Sequence, residues 1–257
     1  MPTNLSLEGV SSTESFYTKI HTSMISDVRD GALPPGKRFF SDWLKQAFPG
    51  DNRNLTVLDA GCGVHVLNGL TCVEQGFGRV FAIDMNPDAV EHVRQNHPEI
   101  NVEIGSVMEL PYGDGSFDVV VCAGVVHHTA DVEKSLRELS RVLKPDGTAY
   151  ISIYSFRKSL FEYVIRLWRL LGRVIPFDVM HALFSRFRAI NNFVLDHMYV
   201  PVIWVFSANE VRDLITETGM TVVDEHPINY GIPKGSALER VLVGDGLIRV
   251  YVCQKPL

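Results

Sequence analysis

The stretch from Val57 to His65 reads VLDAGCGVH and decides the fold class. An apolar run ends in Asp59 and is followed at once by Gly61 and Gly63. Glycines at such a turn let the backbone approach a ligand, and the helix that follows offers free N–H groups at its start. Many turns between a strand and a helix use glycine with no ligand present, so the motif alone leaves both interpretations open.

Outward from this turn, short apolar runs alternate with amphipathic stretches between Leu55 and Tyr154. This alternation is typical of βαβ units, in which crossover helices cover both faces of a parallel sheet. We predict helices at about Val64–Gln75, Pro87–Asn96 and Val132–Leu143. The predicted strands are the runs TVLDAG, RVFAID, NVEIG, FDVVVCAG and TAYISIY.

The rest of the chain divides into three parts around this core, which spans residues 55–154. Residues 1–40 are expected to form an N-terminal helical arm. Residues 156–206 are long, apolar and helix-like without a strand signal, and we interpret them as a helical lid inserted after the fifth strand. Residues 207–257 supply a helix and two strands, TVVDEH and LIRVYVC. The whole is predicted to be one doubly wound α/β domain.

A second acidic residue, Asp84, ends the next strand about 20 residues after Gly63, the spacing at which a carboxylate meets a ribose diol. Alternatively, Asp84 only caps the helix entered at Pro87. Together with the glycine turn, it favours a Rossmann-like crevice that binds a nucleoside at the carboxyl ends of parallel strands. A dinucleotide fingerprint would require a third glycine where Val66 stands, so a pyrophosphate has no obvious seat.

Composition excludes several classes of function. The formal net charge of -6 disfavours wholesale attraction to nucleic acid or to an anionic membrane. The four cysteines form no CxxC pair and no cluster with histidine, so no structural metal is expected. With no basic start leading into an apolar run and no stretch of about 18 apolar residues, we predict a cytoplasmic protein without an integral membrane segment.

Four successive segments between Leu58 and Tyr154 resemble the motifs of class I S-adenosylmethionine-dependent methyltransferases. They are LDAGCG, FAIDMNPDAV, GSVMELPYGDGSFDVVVCAGVVHH and LRELSRVLKPDGTAYISIY, in the correct order. The resemblance implies S-adenosylmethionine as cofactor, a mostly parallel seven-stranded sheet with an antiparallel strand near the C-terminus, and methyl transfer. The arrangement looks most like enzymes of quinone or secondary-metabolite pathways, which implies a small acceptor, often apolar or aromatic.

The resemblance also implies roles for the residues that end the first two strands. Gly61, Cys62 and Gly63 would lie at the methionine moiety of the cofactor, and Asp59 would organise its ammonium group. Asp84 would hold both ribose hydroxyls.

The next motifs imply the remaining cofactor contacts. Met85 would pack on the adenine, with Ser106 and Val107 at its edge. Ala123 and Gly124, after the fourth strand, would border the sulfonium and the methyl group.

The sequence departs from the family pattern at two positions, His65 in place of a third glycine and Ser106 in place of an acidic residue. A neutral hydroxyl should hold the adenine more weakly than a carboxylate would. These departures keep open the alternative of a catalytically silent relative that binds S-adenosylmethionine. A nicotinamide-dependent oxidoreductase is a third hypothesis, and the missing dinucleotide glycine argues against it. Nucleic-acid methylation is disfavoured because the fourth strand ends in CAGVVHH rather than in an NPPY or DPPY box.

Two features bear on the acceptor. If the acceptor is a hydroxyl or phenol, it needs a base, and His127 or His128 is the natural candidate, although either could only cap or pack. Residues 156–190 interleave aromatics with seven Arg or Lys against two acids. This stretch is consistent with a roof over an apolar acceptor, with peripheral contact to an anionic membrane or substrate, or with helix packing and a homodimer.

Overall fold

The computed structural model describes residues 2–6, 16–17, 35–184, 188–228, 241–242 and 246–257. Its strands are β1 Thr3–Asn4, β2 Thr56–Ala60, β3 Arg79–Asp84, β4 Asn101–Ile104, β5 Phe117–Ala123, β6 Leu143–Tyr154, β7 Trp204–Val205, β8 Thr221–Ile228 and β9 Ile248–Gln254. Its helices are α1 Pro35–Ala47, α2 Leu67–Glu74, α3 Pro87–Asn96, α4 Val132–Val142, α5 Leu160–Gly172, α6 Phe177–Phe184, α7 Arg188–Tyr199 and α8 Ala208–Glu217. Within these ranges, no helix is long and apolar enough to cross a membrane.

The main sheet has seven strands in the order β4-β3-β2-β5-β6-β9-β8. The pairings from β4 to β6 are all parallel, whereas β9 runs antiparallel to both β6 and β8. This arrangement confirms the predicted fold class. Strand β2 lies between β3 and β5, so the chain order reverses there and opens a crevice at the carboxyl ends of these strands.

The helix boundaries follow from local capping. The Asn86 side chain accepts a hydrogen bond from the Asp88 amide and caps α3, which has Pro87 in its first turn. Helix α2 begins at Leu67 rather than at Val64, because the turn after β2 continues through Val66, whose φ is +40°.

Residues 156–206 contain α5, α6 and α7, and they end in β7. Strand β7 was not expected, and neither was β1, with which it pairs antiparallel. At Thr3–Asn4 the structure therefore has a strand where the sequence predicts a helical arm. Residues 7–15 and 18–34 of that arm lie outside the described residues.

The buried Arg169 of α5 connects these pieces. Its guanidinium donates hydrogen bonds to four carbonyl oxygens, those of Leu5, His197, Val200 and Pro201. Burial lowers the pKa of Arg169 to about 10, which leaves it charged at neutral pH. One side chain thus fixes the residue after β1 to the carboxyl end of α7.

Candidate functional site

A cavity of about 380 Å³ lies at the carboxyl ends of β2, β3 and β5. Eight of the ten predicted cofactor residues line it: Gly61, Gly63, Asp84, Met85, Ser106, Val107, Ala123 and Gly124. Its volume is within the range of sites that enclose small ligands. The parallel topology brings these residues together, because each stands at or just after the carboxyl end of a strand, and these ends meet at one edge of the sheet.

The glycine turn after β2 is held by its own amides. The Gly61 and Cys62 N–H groups donate to the Ile83 carbonyl at 2.8 and 3.0 Å, and the Gly63 N–H donates to Asp84 Oδ2 at 2.8 Å. A Cβ on Gly61, whose φ is +82°, would lie 2.4 Å from the Val125 side chain. All three amides are engaged within the protein, so none of these three is available to a pyrophosphate.

Asp84 is buried at the end of β3. In addition to Gly63, it accepts a hydrogen bond from the Asn86 N–H, at 2.9 Å to Oδ1. The alternative role of Asp84 as the cap of α3 belongs instead to Asn86. Each carboxylate oxygen has a second lone pair, which is the acceptor capacity that two neighbouring hydroxyls require.

The wall formed after β3 and β4 is closely packed. A Cβ on Gly105 would lie 2.4 Å from the end of the Ile83 side chain, so a larger residue there would require Ile83 to shift. Next to it, Ser106 Oγ accepts a hydrogen bond from the Met108 N–H at 3.2 Å and keeps its own proton available. Met85 and Val107 give this part of the cavity apolar surface.

Two predicted cofactor residues, Asp59 and Cys62, are not among the cavity-lining residues. The buried Asp59 carboxylate accepts hydrogen bonds from the Gly69 N–H at 2.9 Å and from Asn68 Nδ2 at 3.4 Å. Burial raises the pKa of Asp59 to about 6. In this structure Asp59 holds the first turn of α2, and a contact with the cofactor stays a prediction.

The two candidate bases occupy different environments. A short 3-10 turn, Val126–His128, follows β5 and carries both histidines. The fully buried His127 ring packs 3.8 Å from the Tyr154 ring, centroid to centroid, and neither of its nitrogens has a hydrogen-bond partner among the described residues. His128 lines the cavity, whereas His127 does not. The packing alternative therefore describes His127.

The hydrogen bond between His128 Nδ1 and the Val202 carbonyl assigns the tautomer of His128. Its Nδ1 lies 2.9 Å from the Val202 carbonyl oxygen, which can only accept, so the proton is assigned to Nδ1. Burial lowers the pKa of His128, which favours the neutral ring. Its Nε2 then carries a free lone pair and lies 3.8 Å from Asp196 Oδ2.

Asp196 on α7 and Tyr17 belong to this site, and sequence reasoning missed both. Asp196 accepts hydrogen bonds from Tyr17 at 2.9 Å and from Tyr154 at 2.8 Å. Burial would raise the pKa of Asp196, but the nearby histidines and these two hydrogen bonds outweigh it and lower the pKa. The one available signal was an acid within the apolar run FVLDHMYV. Tyr17 carried no such signal.

The sheet is doubly wound, a ligand-sized cavity lies at its switch point, and an acid ends β3. This is the arrangement of Rossmann-like domains that bind nucleosides. Residues 58–151 match the family model described as "Methyltransferase domain". This segment is therefore similar to a methyltransferase domain, and two curated relatives of the chain are named as probable S-adenosylmethionine-dependent methyltransferases.

Curated relatives are similar to part of the chain. A probable S-adenosylmethionine-dependent methyltransferase of Mycobacterium tuberculosis is 29% identical over 171 residues, which are 65% of this chain and 58% of that protein. Norajmaline N-methyltransferase of Rauvolfia serpentina is 30% identical over 56% of this chain and 51% of its own length. The chain spans between half and two thirds of the length of these relatives.

Solved structures are similar over almost the whole chain. The 1,6-didemethyltoxoflavin-N1-methyltransferase of Burkholderia thailandensis, solved with 1,6-didemethyltoxoflavin and S-adenosylhomocysteine, has a TM-score of 0.58 at 18% identity. The match covers 98% of this chain and 94% of the other. At this identity the comparison shows that the fold is shared.

Proposed function

We propose that the chain transfers the methyl group of S-adenosylmethionine to a small, largely apolar acceptor that carries a hydroxyl or an amine. The observation that carries this proposal is the 2.9 Å contact of His128 Nδ1 with the Val202 carbonyl oxygen, which assigns the proton to Nδ1 and leaves Nε2 as an acceptor. His128 lines the cavity, and its Nε2 lies 3.8 Å from the Asp196 carboxylate. When bound, S-adenosylmethionine supplies an electrophilic methyl group. The names of the similar relatives support the same reaction type.

His128 is proposed as the general base. Its Nε2 would take the proton of the acceptor heteroatom as that atom bonds to the methyl carbon and displaces S-adenosylhomocysteine from it. The Nδ1–H keeps its hydrogen bond to the Val202 carbonyl, and this bond holds the ring in place. The Asp196 carboxylate stabilises the positive charge that develops on the ring.

The two tyrosines complete this arrangement. Tyr17 and Tyr154 each donate to one oxygen of Asp196, which keeps the carboxylate ionised although most of its surface is covered. Tyr17 also lines the cavity and lies on the N-terminal part of the chain, remote in sequence from α7. Tyr17 is proposed to line the part of the cavity that holds the methyl acceptor.

The acceptor is proposed to be apolar because of the side chains around His128. Val125, Ala130 and Val202 line this part of the cavity. Among the residues of 156–206 that the structure describes, Val202 lines the cavity, so the proposed lid would reach the site through the segment after α7. A cytoplasmic location and a homodimer stay predictions.

The cofactor contacts are proposed from the geometry of the eight lining residues. Asp84 would accept from the ribose hydroxyls, and Ser106 would meet the polar edge of the adenine between Met85 and Val107. The Gly61 turn would lie against the amino-acid portion. Ala123 and Gly124 stand next to the 3-10 turn, and the methyl position is therefore proposed to lie near His128.

Replacing His128 tests this proposal. We expect His128→Ala to lower kcat at least 100-fold, the lower end of the range for loss of a general base, while affinity for S-adenosylhomocysteine changes little. The measurement is release of S-adenosylhomocysteine with a panel of phenols, catechols and amines, and the matched control is His92→Ala on α3. Unchanged kcat in His128→Ala, or no turnover with any member of the panel, would contradict the proposal.

The pH profile separates a base from a packing residue. Because burial lowers the pKa of His128, the neutral form persists below the ordinary value of about 6.5, and kcat/KM should fall only at lower pH. Asp196→Asn removes the charge that favours the protonated ring, so this acidic limb should move further downward in pH. The plateau should also fall, because the ring is then a weaker base. If Asp196→Asn lowers the plateau of kcat/KM but leaves the acidic limb at the same pH, Asp196 holds the site in place without acting on the charge of His128.

A further inference from the structure

Helix α5 presents an apolar side to solvent. Leu160, Tyr163, Leu167, Leu170 and Leu171 are between 42% and 64% exposed. They are separated by three or four residues, or are adjacent, and so lie on one side of the helix. We call these five residues the α5 face. Val174, just beyond the helix, and Val179 and Leu183 on α6 are also exposed.

Core packing does not account for the α5 face. The opposite side of α5 is already buried through Glu162, Ile165 and Arg169. A surface helix of a globular domain normally turns polar residues outward. Of the twelve large apolar side chains that are exposed in the described part of the chain, eight lie between residues 160 and 183. This clustering indicates an interaction surface rather than scattered exposure.

Positive charge flanks the α5 face. Arg166 is 47% exposed, and Lys158 and Arg173 are exposed near the two ends of the helix. The nearby acids are Glu162, which is buried and paired with Arg166, and Asp178 on α6. The whole chain has a net charge of -6, so a basic and apolar surface is a local exception. Apolar side chains bordered by arginines are the pattern that binds an anionic lipid surface.

We propose that the α5 face docks on an anionic membrane surface, with its leucines in the interface and Arg166 and Arg173 at lipid phosphates. A second copy of the chain is the less favoured occupant, because symmetric pairing through this face would bring the arginines of both copies together. The proposal does not depend on the methyl-transfer reaction. It concerns a surface whose residues do not line the cavity.

Vesicle flotation of the full chain tests this proposal. We expect the protein to float with vesicles of phosphatidylcholine and phosphatidylglycerol, much less with phosphatidylcholine alone, and less at high salt. The double variant Leu167→Glu/Leu170→Glu should lose at least tenfold in binding. Arg173→Gln should lose about fivefold, the loss expected for one basic residue near the surface. The matched control is Val223→Glu on β8, where the side chain is 54% exposed.

Three results would overturn the proposal. The first is no flotation of the unmodified chain with anionic vesicles. The second is equal loss in Val223→Glu, and the third is a dimer in analytical ultracentrifugation that Leu167→Glu/Leu170→Glu dissociates. Circular dichroism and affinity for S-adenosylhomocysteine verify that each variant is folded, and the affinity reports on the cavity separately from the membrane surface.

Discussion

At the scale of single residues, cofactor affinity is expected to depend most on Asp84. We predict that Asp84→Ala weakens binding of S-adenosylhomocysteine by about 2 to 3 kcal/mol, because charge-assisted hydrogen bonds to two ribose hydroxyls are lost. Calorimetric titration measures this change. Asp88→Ala, in the first turn of α3, is the control and should bind like the parent.

The same carboxylate also accepts from the amides of Gly63 and Asn86, so its removal affects the glycine turn. Asp84→Asn keeps one acceptor oxygen without the charge and should give an intermediate loss. Unchanged affinity in Asp84→Ala, with an unchanged melting temperature, would show that Asp84 serves only the local backbone.

From the sequence, residues at strand ends can be placed at the cavity, whereas contacts between residues that are remote in the chain cannot be predicted. Gly61, Asp84 and Gly124 could be assigned because a short motif shows both the strand and the turn that ends it. The hydrogen bond from the Gly69 amide to Asp59 could not be read from the sequence, so the contact between Asp59 and α2 was not predicted. Tyr17 and Asp196 are 179 residues apart, and no local pattern connects two such residues.

At the scale of secondary structure, the segment around α7 connects the proposed lid to the site. Val202 lines the cavity and its carbonyl accepts from His128, while Trp204 Nε1 donates to the Thr129 carbonyl at 3.2 Å. The aromatic residues Phe161 and Trp168 pack on a separate apolar cluster instead of lining the cavity. The part of the lid that senses a ligand should therefore be residues 194–206.

Hydrogen exchange with and without S-adenosylhomocysteine measures this response. We predict slower amide exchange in residues 194–206 when the cavity is filled, because a ligand that binds the folded state reduces local opening. Strands β8 and β9, whose residues do not line the cavity, are the internal control and should not change. Unchanged exchange in residues 194–206 would contradict the lid prediction and would favour helix packing or a homodimer as the role of the segment.

The ribbon of β1 and β7 shows why this part of the fold was not predictable. Each strand has only two residues, too short for an alternating pattern to be recognised. Their pairing depends on the remote Arg169, which holds the Leu5 carbonyl against the end of α7. By contrast, β2 to β6 have between four and twelve residues each, and all five were predicted.

At the scale of the whole molecule, the backbone amides of the glycine turn bear on whether the crevice favours a nucleoside or a dinucleotide with a pyrophosphate. The N–H groups of Gly61, Cys62 and Gly63 are all donated to Ile83 or Asp84. Val66 occupies the position of the third dinucleotide glycine and is fully buried with a φ of +40°. We therefore expect the crevice to bind a nucleoside through Asp84, and these three amides are not available to a pyrophosphate.

Calorimetric titration of the full chain with S-adenosylhomocysteine and, in parallel, with NAD tests the central claim most directly. We predict saturable binding of S-adenosylhomocysteine at one site per chain and no measurable binding of NAD under the same conditions. Tight binding of NAD with no response to S-adenosylhomocysteine would contradict the assignment of the cavity and the proposed function with it.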